Sequence, residues 1–216
     1  ERFADSLALA IAAPERFRLI ELLTSLPESA LPEPHRPPRG HWILCGYGRF
    51  GHAIASRLRD NGIALTIIDP GARDSDQGLS GDGTEASTLQ QAGIERASGI
   101  VAGSNNDINN LSIAVTAAAL KPDLFVVARQ NQAANAALFA AYAADFTVLP
   151  SRIIAQECIA LLTAPLLARF LERLPQLDEA ACHQLAERLA EACGGLTPVV
   201  WDNRLNAAEA PATWQA

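Results

Sequence analysis

Residues 41–51 read HWILCGYGRFG, a mainly apolar run that leads straight into a glycine-rich loop. A helical pattern follows to about Asn61, and a second apolar run at 63–68 ends in Asp69. Glycines at the first, third and sixth positions of a loop between a strand and a helix are typical of a dinucleotide-binding βαβ unit. The stretch therefore predicts that a doubly wound α/β sheet starts at residue 41.

Further along the chain, apolar runs alternate with helical stretches. Strand candidates lie at 99–102, 124–128 and 145–149, with helices at about 85–92, 107–120 and 132–143. These strand candidates are continuously apolar, as expected where helices cover both faces of a parallel sheet. Right-handed crossovers then give a Rossmann-like doubly wound parallel sheet. A C-terminal crossover helix is expected from Pro150 to about Leu174, broken at Pro165.

Proline density and pattern changes divide the chain into three predicted parts. Residues 1–40 hold amino-terminal helices and a linker with four prolines in its last ten residues, a density that no helix or central strand tolerates. Residues 41–174 form the Rossmann-like domain. Residues 175–216 form a short extension with a helix at about 178–193 and a strand-like run at 196–201.

Composition limits the classes of function. The 216 residues carry 17 Lys and Arg against 24 Asp and Glu, so no basic surplus is available to bind a nucleic acid. No apolar run reaches the ~18 residues that indicate a membrane span. The four cysteines form no Cys-x-x-Cys pair and are expected to be reduced. A sequence that starts at Glu1 and contains no Met is expected to be a piece of a longer protein.

The glycine loop and the acid after the second strand form the candidate site. Gly46 permits the tight turn, Gly48 lets backbone amides approach a pyrophosphate, and Gly51 allows close packing of helix and strand. The amides and the dipole at the helix start favour phosphate charge. Asp69 stands where a carboxylate accepts hydrogen bonds from ribose hydroxyls. It would repel a 2′-phosphate, so NADP is disfavoured unless Arg73 compensates.

Four segments resemble the RCK, or TrkA-N, nucleotide-binding domains that regulate potassium conductance. They are GYGRFG at 46–51, GDGT at 81–84 with LQQAG at 89–93, NNDINNL at 105–111, and Ala144-Asp145 with Pro150. The resemblance implies a sensor and not an enzyme. This sensor would bind NAD(H), or ATP, ADP or AMP, on the cytoplasmic side of the inner membrane. It also implies a homodimer through the crossover helix at 150–172, or a higher ring. The partner implied is the membrane pore of a potassium channel or transporter.

The resemblance also implies roles for individual residues. The expected cofactor-binding residues are Gly46, Tyr47, Gly48, Arg49, Phe50, Gly51, Asp69, Asp82, Gly83, Thr84, Ser104, Asn105 and Arg129. Among these, Arg49 would reach a second phosphate, residues 82–84 would line the adenine, and residues 104–105 would lie across from the phosphates. Arg129 supplies either another cation or a salt bridge. No metal site is expected, because Ser151 stands where some family members place a glutamate that helps to hold a divalent cation.

Two other functions stay open on the sequence alone. One is an NAD-dependent oxidoreductase fragment that lacks its substrate domain, and the other is a degenerate Rossmann domain used only for assembly. None of the histidines, His35, His41, His52 and His183, is predicted at the carboxyl edge of a later strand, where such sheets carry out chemistry. Cys45 is either a redox-sensitive thiol or, as favoured, a small buried strand residue. The crossover helix either packs on its own sheet or forms the dimer.

Overall fold

One sheet of six parallel strands runs through the part of the chain that the structure, a computed structural model, describes: residues 2–31, 34–72, 78–142 and 144–200. The strands are β1 (His41–Cys45), β2 (Ala64–Asp69), β3 (Gly78–Ser80), β4 (Gly99–Ala102), β5 (Phe125–Arg129) and β6 (Phe146–Val148). Their order is β3-β2-β1-β4-β5-β6, and each neighbouring pair is parallel. This order is that of a doubly wound sheet, so the predicted Rossmann-like α/β fold is confirmed.

Helices cover both faces of the sheet. Within the same ranges they are α1 (Arg2–Ala12), α2 (Pro14–Thr24), α3 (Arg49–Asp60), α4 (Ala86–Gln91), α5 (Asp107–Leu120), α6 (Ala136–Ala141), α7 (Pro150–Thr163), α8 (Pro165–Leu171) and α9 (Glu179–Ala192). The predicted break in the crossover helix is confirmed, because α7 ends at Thr163 and Pro165 starts α8. A proline has no backbone N–H for the preceding turn but suits the first position of a helix.

Two apolar cores hold the strands between these helices. On one face, Trp42 and Leu44 of β1 pack with Ile54 of α3, and all three are fully buried. On the other face, Ile43 and Cys45 pack with the apolar residues of α4 and α5. Neighbouring residues of β1 therefore point to opposite faces, as they must in a strand. Because both faces are buried, the strand sequence is continuously apolar, which is why the sequence predicts it well.

The amino-terminal helices take part in this packing. The buried residues of α1 lie in the same core as α3 and are Ala4, Leu7, Ala8, Ala10 and Ile11. Helix α2 packs on α9, where the Glu179 carboxylate accepts the backbone N–H groups of Glu15 at 2.9 Å and Arg16 at 3.3 Å. Glu179 thus supplies acceptors that the first turn of α2 lacks. The domain boundaries at residues 40 and 174 stay predictions.

Some elements differ from those predicted. Strand β3 lies in a segment that the sequence predicts as a polar loop. The prediction misses it because this three-residue edge strand, which ends at Ser80, carries no apolar run. The helix predicted at 132–143 is shorter, a 3₁₀ turn at Ala133–Asn135 followed by α6. Arg73 lies outside the described residues. No helix in the described ranges is both long enough and apolar enough to cross a membrane.

The strand predicted at 196–201 is wrong in its described part. Leu196 makes a single bridge with Ala30, and the ladder goes no further within the described residues. The Thr197 hydroxyl instead donates to the Leu26 carbonyl at 2.6 Å, and Pro198 has no N–H with which to continue a ladder. Residues 201–216 lie outside the described part of the chain.

Candidate functional site

The glycine loop between β1 and α3 turns as its spacing predicts. Gly46 has a φ of +99°, a conformation that side chains with a Cβ rarely adopt, and its N–H donates to the Ile68 carbonyl at 2.8 Å. A Cβ built on Gly51 would lie 2.0 Å from the Gly46 carbonyl oxygen, so helix and loop touch there. A Cβ built on Gly48 would meet no atom within 4 Å. The first and third glycines therefore serve the fold, whereas Gly48 borders open space.

The amino end of α3 faces that open space. Gly48 is the N-cap residue, and as a glycine it has no side chain with which to cap the helix. The first N–H groups of a helix have no acceptor within the helix, and they carry the positive end of its dipole. An uncapped, exposed helix start after a glycine loop is suited to hold a phosphate.

A groove of about 1270 Å³ opens above this helix start. It is lined by Ala4, Gly46, Tyr47, Gly48, Arg49, Phe50, Gly51, His52, Ala53, Asp69, Gly103, Ser104, Asn105 and Arg129. Ten of the thirteen predicted cofactor-binding residues are among them. The groove lies at the carboxyl ends of the strands, where β1 and β4 are neighbours and the strand order reverses. Ligands of doubly wound sheets bind at this position.

Asp69, the last residue of β2, is fixed beside the glycine loop. Its Oδ2 accepts the Tyr47 N–H at 2.7 Å, and its Oδ1 accepts the Gly71 N–H at 2.8 Å. Both bonds come from the backbone, so the orientation of the carboxylate does not depend on another side chain. Each carboxylate oxygen can accept more than one hydrogen bond, which leaves acceptor capacity for the hydroxyls of a ligand.

Arg129, the last residue of β5, brings a positive charge to the opposite side of the groove. Its guanidinium lies 4.8 Å from the centre of the Phe50 ring, and its Nη1 is 3.5 Å from the Gly103 carbonyl oxygen. Burial lowers the pKa of Arg129, while the nearby Asp107 carboxylate acts in the opposite direction. Arginine stays protonated even so. Phe50 supports the guanidinium by a cation–π contact.

The NNDINNL segment forms the frame of the groove. Asn106 caps α5, accepting the N–H groups of Ile108 and Asn109. Asn110 is fully buried, and its side chain joins the loop after β4 to the end of β5. Its Oδ1 accepts the Ser104 N–H at 2.9 Å, and its Nδ2 donates to the carbonyls of Ser104 at 3.0 Å and Arg129 at 2.7 Å.

Asp107 holds the loop after β5 in the same way. Its Oδ1 accepts the backbone N–H of Asn131 at 2.6 Å, and its Oδ2 accepts the Asn135 side chain at 2.7 Å. Burial alone would raise the pKa of Asp107, but hydrogen bonds from Asn131, Asn135 and Gln132 outweigh it and lower that pKa. Asn110 therefore acts on the groove through the backbone of Ser104 and Arg129, which line it, whereas Asp107 holds the loop that follows Arg129.

The three predicted adenine contacts, Asp82, Gly83 and Thr84, are not among the residues that line the groove. The Asp82 Oδ1 accepts the Thr84 N–H at 2.9 Å, and a Cβ on Gly83 would lie 2.8 Å from the Cys45 Sγ. The segment thus packs on the end of β1, and its role toward adenine stays a prediction. Burial, with the Asp82 charge, raises the pKa of Cys45 far above its ordinary value. Cys45 is the small buried strand residue that the sequence favours.

Four groove residues were not predicted: Ala4, His52, Ala53 and Gly103. Gly103 packs closely on the Phe50 ring, because a Cβ there would lie 3.0 Å from it. Its place directly after β4 is the sequence signal that could have predicted it as a groove residue. His52 stacks on Tyr47 with ring centres 3.7 Å apart. Ala4 carries no local signal, because α1 reaches the groove through tertiary packing.

The other histidines lie elsewhere. The His41 Nε2 is 2.8 Å from the Thr66 Oγ1, at the amino end of the strands. His183 pairs with Glu15 at 3.0 Å, where α9 meets α2. His35 contacts the Phe146 ring. His52 is therefore the histidine that lines the groove.

Comparison with known proteins places this geometry in context. Potassium channel protein 1 of Methanocaldococcus jannaschii is 28% identical over 148 residues, 64% of this chain and 44% of its own length. The solved GsuK structure bound to ADP is 29% identical with a TM-score of 0.50, and the GsuK channel bound to NAD is 30% identical with a TM-score of 0.50. These alignments cover 70% and 66% of this chain, but 38% and 25% of the GsuK chains.

A third solved structure, the Shewanella denitrificans Kef CTD in its AMP-bound form, is 25% identical with a TM-score of 0.51. The alignment spans 68% of this chain and 98% of the Kef CTD chain. The TrkA-N domain matches residues 42–150, which include every strand of the sheet except the first residue of β1. This chain spans less than half of the length of the M. jannaschii relative. On this match, the chain belongs to the TrkA-N domain family.

Proposed function

We propose that the groove binds an adenine nucleotide, either NAD(H) or one of ATP, ADP and AMP. The observation that carries the proposal is the uncapped start of α3, which follows a glycine loop with open space at Gly48. A diphosphate there would accept backbone N–H groups and meet the positive end of the helix dipole. The solved relatives bound to ADP, NAD and AMP support this choice of ligand.

Charged side chains complete the proposed contacts. Arg49 and Arg129 line the groove and would balance the phosphate charge. Asp69 would accept the ribose hydroxyls, and it disfavours a 2′-phosphate. In this proposal the segment 82–84 turns toward the adenine from its place at the end of β1.

The proposed role of binding is regulation without chemistry, of a potassium channel or transporter pore on the cytoplasmic side of the membrane. The potassium channel relative from M. jannaschii supports this role. A nucleotide can shift such a pore only if it binds one conformation of the domain more tightly than another.

We propose the helices of the segment 150–172 as the homodimer contact through which conformations differ. Helix α7 exposes 49% of Ile154 and 82% of Leu162, and α8 exposes 40% of Phe170. Large apolar side chains left exposed on two successive helices favour contact with a second protein surface. A dimer geometry that changes with nucleotide binding would carry the signal to the pore.

Calorimetric titration with NADH, NAD, ATP, ADP and AMP tests the binding. Wild-type protein is expected to bind at least one of them, whereas Asp69→Ala is expected to lose most of the affinity. Asp60→Ala is the matched control, because Asp60 is exposed at the end of α3 and does not line the groove. No binding of any of the five at about millimolar concentration, a free energy near −4 kcal/mol, would refute the proposal.

Potassium flux through liposomes that hold the associated pore tests the regulatory half. We expect the bound nucleotide to change the flux, and Asp69→Ala to remove that response. A flux that is the same with and without a nucleotide that binds would leave a nucleotide-binding domain but refute its role at the pore.

A further inference from the structure

We infer that α1 is a wall of the groove, and that Ala4 sets how much of a second nucleoside the groove admits. The inference rests on the proposed nucleotide binding. Helix α1 lies outside residues 42–150, which match the TrkA-N domain, so membership of the family assigns it no role.

The two ends of α1 lie at opposite edges of the sheet. Ala4 lines the groove together with Phe50 and Arg129. Ala12, at the other end of the helix, lines a separate groove of about 410 Å³ that His41 also borders, at the amino end of β1. Helix α1 therefore crosses the sheet from its carboxyl edge to its amino edge, with its first turn beside the glycine loop.

Contacts on several sides fix this wall. Helix α1 packs against α3 and also against α7, which follows β6. Asp5 pairs with Arg57 of α3, and Leu7 and Ala8 are buried in the shared core. Helix α1 is thus held by α3, whose amino end would bind the phosphates. The distance between α1 and the proposed phosphate site is therefore constant.

The position of α1 decides which part of a ligand it would meet. A dinucleotide lies across the crevice of a doubly wound sheet, one nucleotide over each half. Asp69 marks the half formed by β1 to β3, and Arg129 marks the half formed by β4 to β6. Because α1 packs toward α7, Ala4 borders the second half. A mononucleotide held by Asp69 and the glycine loop does not extend that far.

The size of the side chain at position 4 then limits the space in the groove over the half of the sheet formed by β4 to β6. Ala4 is 2% exposed and is surrounded by the core that α1 and α3 share. Packed cores accommodate extra methylene groups poorly, so a longer side chain at this position would extend into the groove. It would take the space of the second nucleoside and leave the site of the first nucleotide intact.

Titration of Ala4→Phe with NAD and AMP tests the inference. The affinity for NAD is expected to fall about tenfold or more by steric exclusion, while that for AMP stays within about twofold. Ala12→Phe is the matched control and should change neither, because Ala12 borders the other groove. Equal losses for both ligands, or no loss for either, in a folded variant would overturn the inference. Failure of wild-type protein to bind any of the five nucleotides would instead refute the proposed function, whereas a wild-type protein that binds a mononucleotide but not NAD would overturn the inference alone.

A measurement on the wild-type side chain removes any dependence on how Ala4→Phe folds. The protein is labelled with ¹³C in its alanine methyl groups, and Ala4→Ser identifies the Ala4 signal by its loss. We expect saturating NAD to shift this signal and saturating AMP to leave it in place. A signal that NAD leaves unmoved, or that AMP moves by the same amount, would overturn the inference.

Discussion

Replacing Gly48 by alanine separates the role of the loop in binding from its role in folding. Gly48 has a φ of −70° and a ψ of −168°, which any residue adopts, and an added Cβ meets no atom within 4 Å. Alanine is a poorer N-cap than glycine, but it also lowers the entropy of the unfolded chain. The two effects oppose each other, so we expect the free energy of unfolding to change by less than about 1 kcal/mol.

The loss in binding follows from the same open space. The methyl group of Gly48→Ala would stand where a diphosphate approaches the amides at the start of α3. Hydrogen bonds to a charged group contribute about 1.5–3 kcal/mol each. Displacing one of these contacts costs about 1.5–3 kcal/mol, or roughly a 10- to 150-fold loss of affinity.

Calorimetry with the nucleotide that wild-type protein binds best gives the affinity, and urea unfolding gives the stability. Gly51→Ala is the contrasting variant, because its Cβ would lie 2.0 Å from the Gly46 carbonyl oxygen. That clash is expected to cost about 1–3 kcal/mol of stability. Asp60→Ala, at the exposed end of α3 and outside the groove, is the binding control. A Gly48→Ala protein that binds within about threefold of wild type would refute the phosphate site above α3.

Three further predictions concern the frame of the site. Asn110→Ala removes three hydrogen bonds to Ser104 and Arg129, so urea unfolding should show a loss of about 2–4 kcal/mol; a loss below about 1 kcal/mol would contradict the framing role. The folded-state pKa of Asp107 is lowered, so its contribution to stability is present above the unfolded pKa near 3.8 and is lost as the pH falls through the folded value. Urea midpoints between about pH 2.5 and 6 should fall less steeply with decreasing pH in Asp107→Asn than in wild type, and identical profiles would contradict this. Cys45 is buried with a raised pKa, so iodoacetamide should label it only after unfolding, whereas partly exposed Cys193, outside the proposed dimer contact, serves as the reactive control in mass spectrometry; labelling of native Cys45 at the rate of Cys193 would contradict its burial.

Much of the fold could be predicted because the informative signals are local. The runs at 41–45 and 99–102 are apolar at every position after His41, since helices cover both faces of the sheet, and the structure places β1 and β4 there. The break at Pro165 follows from the missing N–H of proline. Strand β3 escaped prediction because a short edge strand pairs on one side only and needs no apolar run.

The candidate site divides in the same way. The glycine spacing and Asp69 are close enough in sequence for their joint geometry to be expected, and the structure brings them within hydrogen-bond distance through the Tyr47 N–H. Asn110 belongs to a segment that resembles the family, but its three bonds depend on where the ends of β4 and β5 meet. No spacing along the chain reveals that meeting point.

The sequence by itself determined the parallel sheet, the glycine turn and the acid at the end of β2, because backbone conformation and strand burial act over a few residues. Only the tertiary structure decided that Ala4 lines the groove, that Asn110 ties two strand ends together, and that residues 82–84 pack on Cys45. Those contacts join positions far apart in the chain, and their partners are selected by the packing of whole helices on the sheet.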